Sequence, residues 1–217
     1  MSAFSAALDT KASITGILAE TGRVHTHIQA ALKGVENPVV IISSAVPQEG
    51  KSTLAAGLGI CAARRSQGGR VLLIDAHWHA PSQHSLFKFE RNFKLREDFS
   101  FSSLTSQVLE TGYPGLDLLP APEVPVDLNR TNKMLRIMAE LRGSYSLTLV
   151  DTAAVTAVNR YMVDPVALAA EADGLAFVVL ANKTPRHLVK KACTTCEVSR
   201  ARILGLVINQ YCNPMAG

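Results

Sequence analysis

The segment from Ala45 to Thr53, AVPQEGKST, has the residue types of a phosphate-binding loop. It follows an apolar run and precedes a helix-forming stretch, so backbone N–H groups and a helix N-terminus converge there. Gly50 allows close approach of the backbone, Lys51 can reach the outer phosphates, and the Ser52 hydroxyl can bind Mg²⁺. The strict pattern G-x-x-x-x-G-K-[ST] has Ala45 at its first position, the smallest departure from glycine. The residues expected to contact ATP or ADP in this loop are Ala45, Pro47, Gln48, Glu49, Gly50, Lys51, Ser52 and Thr53.

Two aspartates end apolar runs elsewhere in the chain, Asp75 after VLLI and Asp151 after LTLV. Because the carboxyl ends of parallel strands share one edge of a sheet, both acids are expected near the same phosphates. Carboxylate oxygens are ligands that Mg²⁺ prefers. This context argues against a chance strand-to-helix turn.

Six short apolar runs bounded by turn residues indicate buried strands: PVVIISS, RVLLIDA, GLDLLPA, SLTLVDT, GLAFVVLA and ILGLVINQ. Segments of helical composition lie between most of them, at 52–65, 132–141, 165–171 and 185–200. The last is expected to have Thr184 as its N-cap and Pro185 at its first helical position. Alternating strands and helices predict a doubly wound α/β fold, a mostly parallel sheet with helices on both faces.

Length and composition favour one domain over residues 1–217, with 47% of the residues hydrophobic. Within it, 1–36 is expected to be a helical N-terminal region and 82–111 an irregular excursion over the rim of the sheet. No apolar run reaches the roughly 18 to 20 residues that cross a bilayer. The first residues lack the order of a secretory signal, so we expect a cytoplasmic protein.

The cysteines indicate a reducing compartment, and the net charge indicates no specific polyanionic partner. Four scattered cysteines do not form a disulfide framework. Cys193 and Cys196 fall within one predicted helix, and Cys196 shares its apolar face, so a core residue is expected rather than half of a metal pair. A net charge of +4 is mild. The basic run KTPRHLVKK is read as a solvated helix face, and nucleic acid is not an expected partner.

Further segments extend the pattern beyond the loop. Six segments together resemble the bacterial tyrosine kinases (BY-kinases) of capsule and exopolysaccharide assembly. They are SSAVPQEGKST, VLLIDAHWHAP, GLDLLPAP, LRGSYSLTLVDTAA, EADGLAFVVLANKTPR and ILGLVIN. These kinases are relatives of the Min and Par ATPases. The resemblance runs from about Ala12 to Tyr211. It implies a P-loop NTPase fold of the deviant Walker A type.

Residue by residue, the resemblance implies a set of site contacts. The Walker A contacts to phosphate and Mg²⁺ would be Lys51, Ser52 and Thr53. Asp75 would be the first acid of the Walker A′ strand, and Asp151 would be the Walker B acid that acts on Mg²⁺ or its water. The resemblance thus implies Ser52, Asp75 and Asp151 as the metal site and Lys51, Asp75 and Asp151 as the catalytic group. Asn209 would lie against adenine. The family also implies a membrane-embedded polysaccharide co-polymerase or chain-length regulator as partner, with this protein peripheral at the inner face of the membrane.

The A′ strand departs from the family pattern Asp-x-Asp-x-Arg, because His77 replaces the second acid and His79 the arginine. Imidazole is a poor ligand for Mg²⁺, although its ordinary pKa of about 6.5 allows it to accept a proton. On a strand, residues 77 and 79 would face the same way. We interpret the pair as an altered nucleotide site, with a transition-metal site as the alternative.

Three other positions differ from the family. The Walker B strand ends VDTAAV where the family has Asp-Thr-Pro-Pro. Glu20, Arg23 and Thr26 lie where the oligomerisation motif Glu-x-x-Arg-x-x-Arg would be, with Thr26 for the second arginine, so a homo-oligomer would use an incomplete motif. Tyr211 is alone in the tail NQYCNPMAG, so phosphorylation of a C-terminal tyrosine cluster is not expected.

Three functions are compatible with these residues. The first is an ATP-binding, tyrosine-kinase-like protein of exopolysaccharide or capsule biosynthesis and export, with weakened phosphoryl transfer. The second is a catalytically inactive regulator that binds nucleotide and docks on a membrane chain-length protein. The third is a Par- or Min-like ATPase acting on DNA or membrane, supported by the basic run KTPRHLVKK alone.

Overall fold

The computed structural model describes residues 11–66, 68–95, 98–123, 129–157 and 162–210, without the side chains of 11–19. In that part of the chain one sheet contains β1 (Val39–Ser44), β2 (Val71–Asp75), β3 (Leu109–Glu110), β4 (Leu116–Leu119), β5 (Leu147–Asp151), β6 (Gly174–Leu180) and β7 (Ile203–Asn209). Its spatial order is β3-β4-β2-β5-β1-β6-β7. Strand β3 is antiparallel to β4, and the other neighbouring strands are parallel.

Helices connect the strands. The α-helices are α1 (Lys11–Ala31), α2 (Lys51–Arg65), α3 (Gln83–Leu86), α4 (Phe101–Thr105), α5 (Arg130–Leu141), α6 (Pro165–Glu171) and α7 (Arg186–Val198). Two 3₁₀ turns cover Arg142–Ser144 and Val155–Ala157. No helix in the described ranges has both the length and the apolar character that a bilayer-spanning segment needs.

Both faces of the sheet are covered, as the continuous apolar runs predict. Val39 and Ile41 of β1 pack into a core with α5, α6 and α7. Val40 and Ile42, which alternate with them, pack into a second core with α1 and α2. Cys196 of α7 is fully buried in the first core, as expected. The doubly wound α/β fold is therefore confirmed.

The predicted elements are present with small differences at their ends. All six predicted strands form, each slightly shorter than its apolar run. Strand β3 is not predicted, because two residues carry no periodicity. Residues 82–111, expected to be an irregular excursion, contain α3, α4 and β3. The predicted N-cap of α7 is wrong: the helix begins at Arg186 with Pro185 in the cap position, and Thr184 donates its hydroxyl hydrogen to Glu49.

The strand order brings the predicted site residues to one edge of the sheet. Strand β5 lies between β1 and β2, and Asp151 is in register with both Asp75 of β2 and Ile42 of β1. The loop that leaves β1 therefore starts beside both acids. This is the carboxyl edge, where ligands bind in open α/β sheets.

Candidate nucleotide site

The loop between β1 and α2 has the backbone shape of an anion cradle. Gln48 and Gly50 both have positive φ, 66° and 90°. The left-handed conformation at these positions turns successive N–H groups inward. The Ser44 hydroxyl stabilises the start of the loop by donating to the Val46 oxygen at 2.7 Å.

Among the described residues, the backbone N–H groups in the second half of this loop have no acceptor. The first backbone bond of α2 runs from the Leu54 N–H to the Gly50 oxygen at 2.9 Å. In the hydrogen bonds among the described residues, none of the N–H groups from Gln48 to Thr53 donates to another group. Helix N-termini leave such donors free, and they favour an anion. The loop can therefore surround a phosphate with backbone donors.

The side chain of Glu49 stabilises the loop through hydrogen bonds. Its side chain is buried, with Oε2 accepting the Val46 N–H at 2.8 Å and Oε1 accepting the Leu180 N–H at 2.9 Å. Oε1 also accepts the Thr184 hydroxyl. The carboxylate thus joins the loop to the end of β6. Only the backbone of Glu49 remains for the predicted nucleotide contact.

Asn209 lies against the loop, at the end of β7. Its Nδ2 donates to the backbone oxygen of Glu49 at 3.0 Å. A Cβ added at Gly50 would meet this nitrogen at 2.5 Å, so the close approach requires glycine as much as the positive φ does. The residue is therefore in the predicted neighbourhood. Its contact with adenine stays a prediction.

Lys51 points into a buried environment and is 5% exposed. Burial lowers the pKa of its ammonium group, while the charges of Asp151 and Glu49 oppose that shift. A buried ammonium group favours an anionic ligand. Ser52 and Thr53 follow in the first turn of α2, both partly exposed.

Asp75 and Asp151 form a fully buried pair. Burial, and then repulsion from Asp151, raise the pKa of Asp75 to about 7. Burial also raises the pKa of Asp151, against the side-chain interactions with Gln83 and Ser52 and the charge of Lys51. The structure thus brings together the loop, the lysine and both predicted acids.

Gln83 is a site residue that the sequence analysis missed. Its side chain donates to Asp151 Oδ2 at 2.7 Å and to the Ser52 oxygen at 3.0 Å. No motif indicates it, since it lies in the four-residue helix α3. The signal that could have located it is the position of this segment directly after the strand that ends in Asp75.

The interpretation of His77 and His79 requires two corrections. Strand β2 ends at Asp75, and the Ala80 N–H donates to the His77 oxygen at 3.0 Å, so both histidines lie in a turn and not on a strand. Burial, followed by the charges of Lys51 and His79, lowers the pKa of His77 to about 4. The ordinary imidazole pKa assumed from the sequence is therefore wrong here, and His77 is a weak proton acceptor.

The predicted oligomerisation residues lie on α1. Glu20, Arg23 and Thr26 are exposed. The Thr26 hydroxyl donates to the Gly22 oxygen at 2.9 Å and accepts a hydrogen bond from Arg65 at 3.1 Å. Oligomerisation through this surface stays a prediction. The tail with Tyr211 and the residues before 11, where no secretory signal is expected, lie outside the described residues.

Sequence comparison identifies kinases as relatives. The chain is 32% identical over 190 residues to the tyrosine-protein kinase YwqD of Bacillus subtilis, covering 86% of this chain and 78% of YwqD. It is 30% identical over 186 residues to the succinoglycan biosynthesis transport protein ExoP of Rhizobium meliloti, covering 82% of this chain and 23% of ExoP. The chain thus spans less than a quarter of the second relative. No family model matches the sequence.

Solved structures agree with this relationship. The VpsO kinase domain superposes with a TM-score of 0.76 at 25% identity, covering 94% of this chain and 99% of that domain. The septum site-determining protein MinD of Pyrococcus horikoshii, solved with Mg-ADP, superposes with a TM-score of 0.64 at 18% identity, covering 80% and 70% of the two chains. The likeness to MinD concerns the fold alone. The family resemblance of the sequence is confirmed.

Proposed function

Because the chain belongs to the bacterial tyrosine-protein kinases, we propose that it binds ATP with Mg²⁺ and acts as a tyrosine-kinase-like protein of capsule or exopolysaccharide biosynthesis and export. The observation that carries this proposal is the run of backbone N–H groups from Gln48 to Thr53, none of which has an acceptor in the described part of the chain. A triphosphate supplies several oxygens that accept such donors at once. Asn209 would lie against the adenine of the same nucleotide.

The residues beside the loop fit a divalent cation. Among the described residues, Oδ1 of Asp151 is buried and accepts no hydrogen bond. Asp151 and the Ser52 hydroxyl would hold Mg²⁺, directly or through water. Asp75 is their neighbour, but its oxygens accept backbone N–H groups of His77, Ser82 and Gln83. We therefore assign Asp75 a supporting role at the metal site.

Phosphoryl transfer depends here on positioning and charge more than on covalent chemistry of the protein. When bound, Mg²⁺ neutralises the negative charge on the phosphate oxygens. Lys51 would orient the outer phosphates through its buried ammonium group. His77 is neutral near pH 7, because its pKa is lowered to about 4, and it contributes little as a base.

That lowered pKa supports a second candidate function, a regulator that binds nucleotide without efficient turnover. The second acid of the family pattern is absent, and its replacement is a weak base. Such a protein would report the nucleotide state to a membrane-embedded polysaccharide co-polymerase or chain-length regulator at the cytoplasmic face.

Binding calorimetry with ATP and ADP, with and without Mg²⁺, tests the shared premise. Lys51→Ala removes the charge at the phosphates and should weaken binding by about 10- to 100-fold. Lys33→Ala, an exposed lysine outside the site, is the control and should bind as wild type does. Wild-type protein without nucleotide affinity would reject both candidate functions.

Phosphoryl transfer separates the two candidates. Radiolabelled ATP is supplied to the wild type and to Lys51→Ala, each with the cytoplasmic part of a co-polymerase. Lys51-dependent phosphotyrosine supports the kinase. Nucleotide binding without any phosphotyrosine on either protein supports the regulator.

A further inference from the structure

The fully buried Gln83 side chain connects two parts of the candidate site. Its Nε2 donates to Oδ2 of Asp151 at 2.7 Å and to the backbone oxygen of Ser52 at 3.0 Å. An amide nitrogen has two protons, so both are used. Gln83 therefore ties the end of β5 to the first turn of α2.

Asp75 fixes Gln83 in this position. Its Oδ2 accepts the N–H groups of Ser82 at 3.0 Å and Gln83 at 2.9 Å. Its Oδ1 accepts the His77 N–H at 3.2 Å. These bonds close the turn after β2 and hold the start of α3. Asp75 thus sets where the Gln83 amide meets Asp151.

Two acceptor atoms of this arrangement have no donor. Within the described ranges, Oε1 of Gln83 and Oδ1 of Asp151 are both buried and accept no hydrogen bond. A buried acceptor without a donor is destabilising. These two acceptors belong to side chains that are already hydrogen-bonded to each other at 2.7 Å. Together they indicate a ligand that donates hydrogen bonds. Nucleotide phosphates only accept, whereas the water ligands that Mg²⁺ retains are donors.

We propose that Gln83 is a positioning residue for a hydrated divalent cation, with its Oε1 accepting from a metal-bound water beside Oδ1 of Asp151. The inference rests on the proposed function. In this arrangement, the neutral amide of Gln83 takes over part of the role that a second carboxylate would have at position 77. A neutral acceptor adds no third buried negative charge beside Asp75 and Asp151.

The competing explanation is structural: Gln83 would only satisfy Asp151 and stabilise the fold. The two explanations differ in how the Mg²⁺ dependence of ADP binding responds to substitution. A structural residue affects stability and all binding alike. A positioning residue for the cation affects the gain in ADP affinity that Mg²⁺ produces, and leaves Mg²⁺-free binding unchanged.

The experiment measures ADP affinity by calorimetry in EDTA and in Mg²⁺, together with apo stability, for wild type, Gln83→Met and Gln83→Glu. Gln83→Met keeps the length and removes both polar atoms, so it should reduce the Mg²⁺-induced gain by about 10- to 100-fold. Its affinity in EDTA should stay within about threefold of wild type, a change under 1 kcal/mol. Gln83→Glu retains an acceptor but removes the donor to Asp151 and adds a third buried carboxylate. It should therefore lower apo stability and ADP affinity in EDTA, and it should retain the Mg²⁺-induced gain.

The control is Gln29→Met, which changes an exposed glutamine of α1 and should alter neither affinity. An unchanged Mg²⁺ gain in Gln83→Met, or equal losses with and without Mg²⁺, would overturn the inference while the proposed function stands. If Gln83→Met does not fold, Gln83→Glu decides, and loss of the gain in that variant overturns the inference. Wild-type protein that binds no ADP would reject the proposed function itself.

Discussion

The loop from Ala45 to Thr53 and the segment from Asp75 to Leu86 meet at one edge of the sheet, but they present different chemical groups. The loop offers backbone N–H groups, and the side chain of Glu49 faces away from the candidate ligand. The segment acts through side chains: Asp75 accepts three N–H groups, and Gln83 holds Asp151.

This difference explains which departures from the family pattern matter. Ala45 replaces a glycine at a position that contributes only its backbone to the loop, so the cradle keeps its N–H donors. His77 replaces an acid in a segment where the side chain is the functional group. There the substitution changes charge, pKa and metal preference together. A substitution that leaves the backbone conformation unchanged should therefore affect the loop less than it affects the segment after β2.

Substitution of Gly50 by alanine should have the largest effect, because it alters the backbone of the cradle. A side chain at φ 90° adds strain of about 1 to 2 kcal/mol, and displacing Asn209 removes a hydrogen bond worth about 1 kcal/mol more. We expect lower stability and weaker ATP binding. Denaturant unfolding and calorimetry measure the two losses.

Gly34→Ala is the matched control, since Gly34 has φ 86° and nothing within 4 Å of an added Cβ. It should lose stability through strain alone and keep wild-type affinity for ATP. Equal effects of the two substitutions on ATP binding would mean that contact with Asn209 does not shape the cradle.

His77→Asn should have a smaller, pH-dependent effect in the other region. The pKa of His77 is lowered to about 4 in the fold, so the neutral form is favoured, and this stabilisation is lost as pH falls from 6.5 through 4. Wild type should therefore lose about 1 kcal/mol relative to the variant over that interval, after allowance for partial exposure. Asp75, whose raised pKa gives the opposite trend, cancels in the difference.

Urea unfolding at several pH values between 7.5 and 4 provides this comparison. His27→Asn, which removes an exposed imidazole on α1, is the control. Parallel pH curves for wild type and His77→Asn would show that His77 is not coupled to the buried site. The side-chain region would then be less sensitive to substitution than its contacts indicate.

The sequence was informative where a feature is local and periodic. The six main strands are continuous apolar runs, because the sheet is covered on both faces, and this made them predictable. The loop and both acids follow from strand ends. The role of Glu49 could not be predicted from the sequence, because its partners Leu180 and Thr184 are more than 130 positions away in the chain. Gln83 was missed for a related reason, since only Asp75 and a four-residue helix place it.

Ala45→Gly restores the strict loop pattern and should have the smallest effect. Ala45 is fully buried, and its oxygen accepts the Thr156 hydroxyl at 2.6 Å. Loss of a buried methyl group and gain of chain entropy should lower stability by about 1 kcal/mol. ATP affinity should stay within about threefold of wild type, because the N–H groups are unchanged. A gain in affinity of tenfold or more would show that the methyl group restricts the cradle, and that a backbone site can be as sensitive to its side chains as the segment after β2.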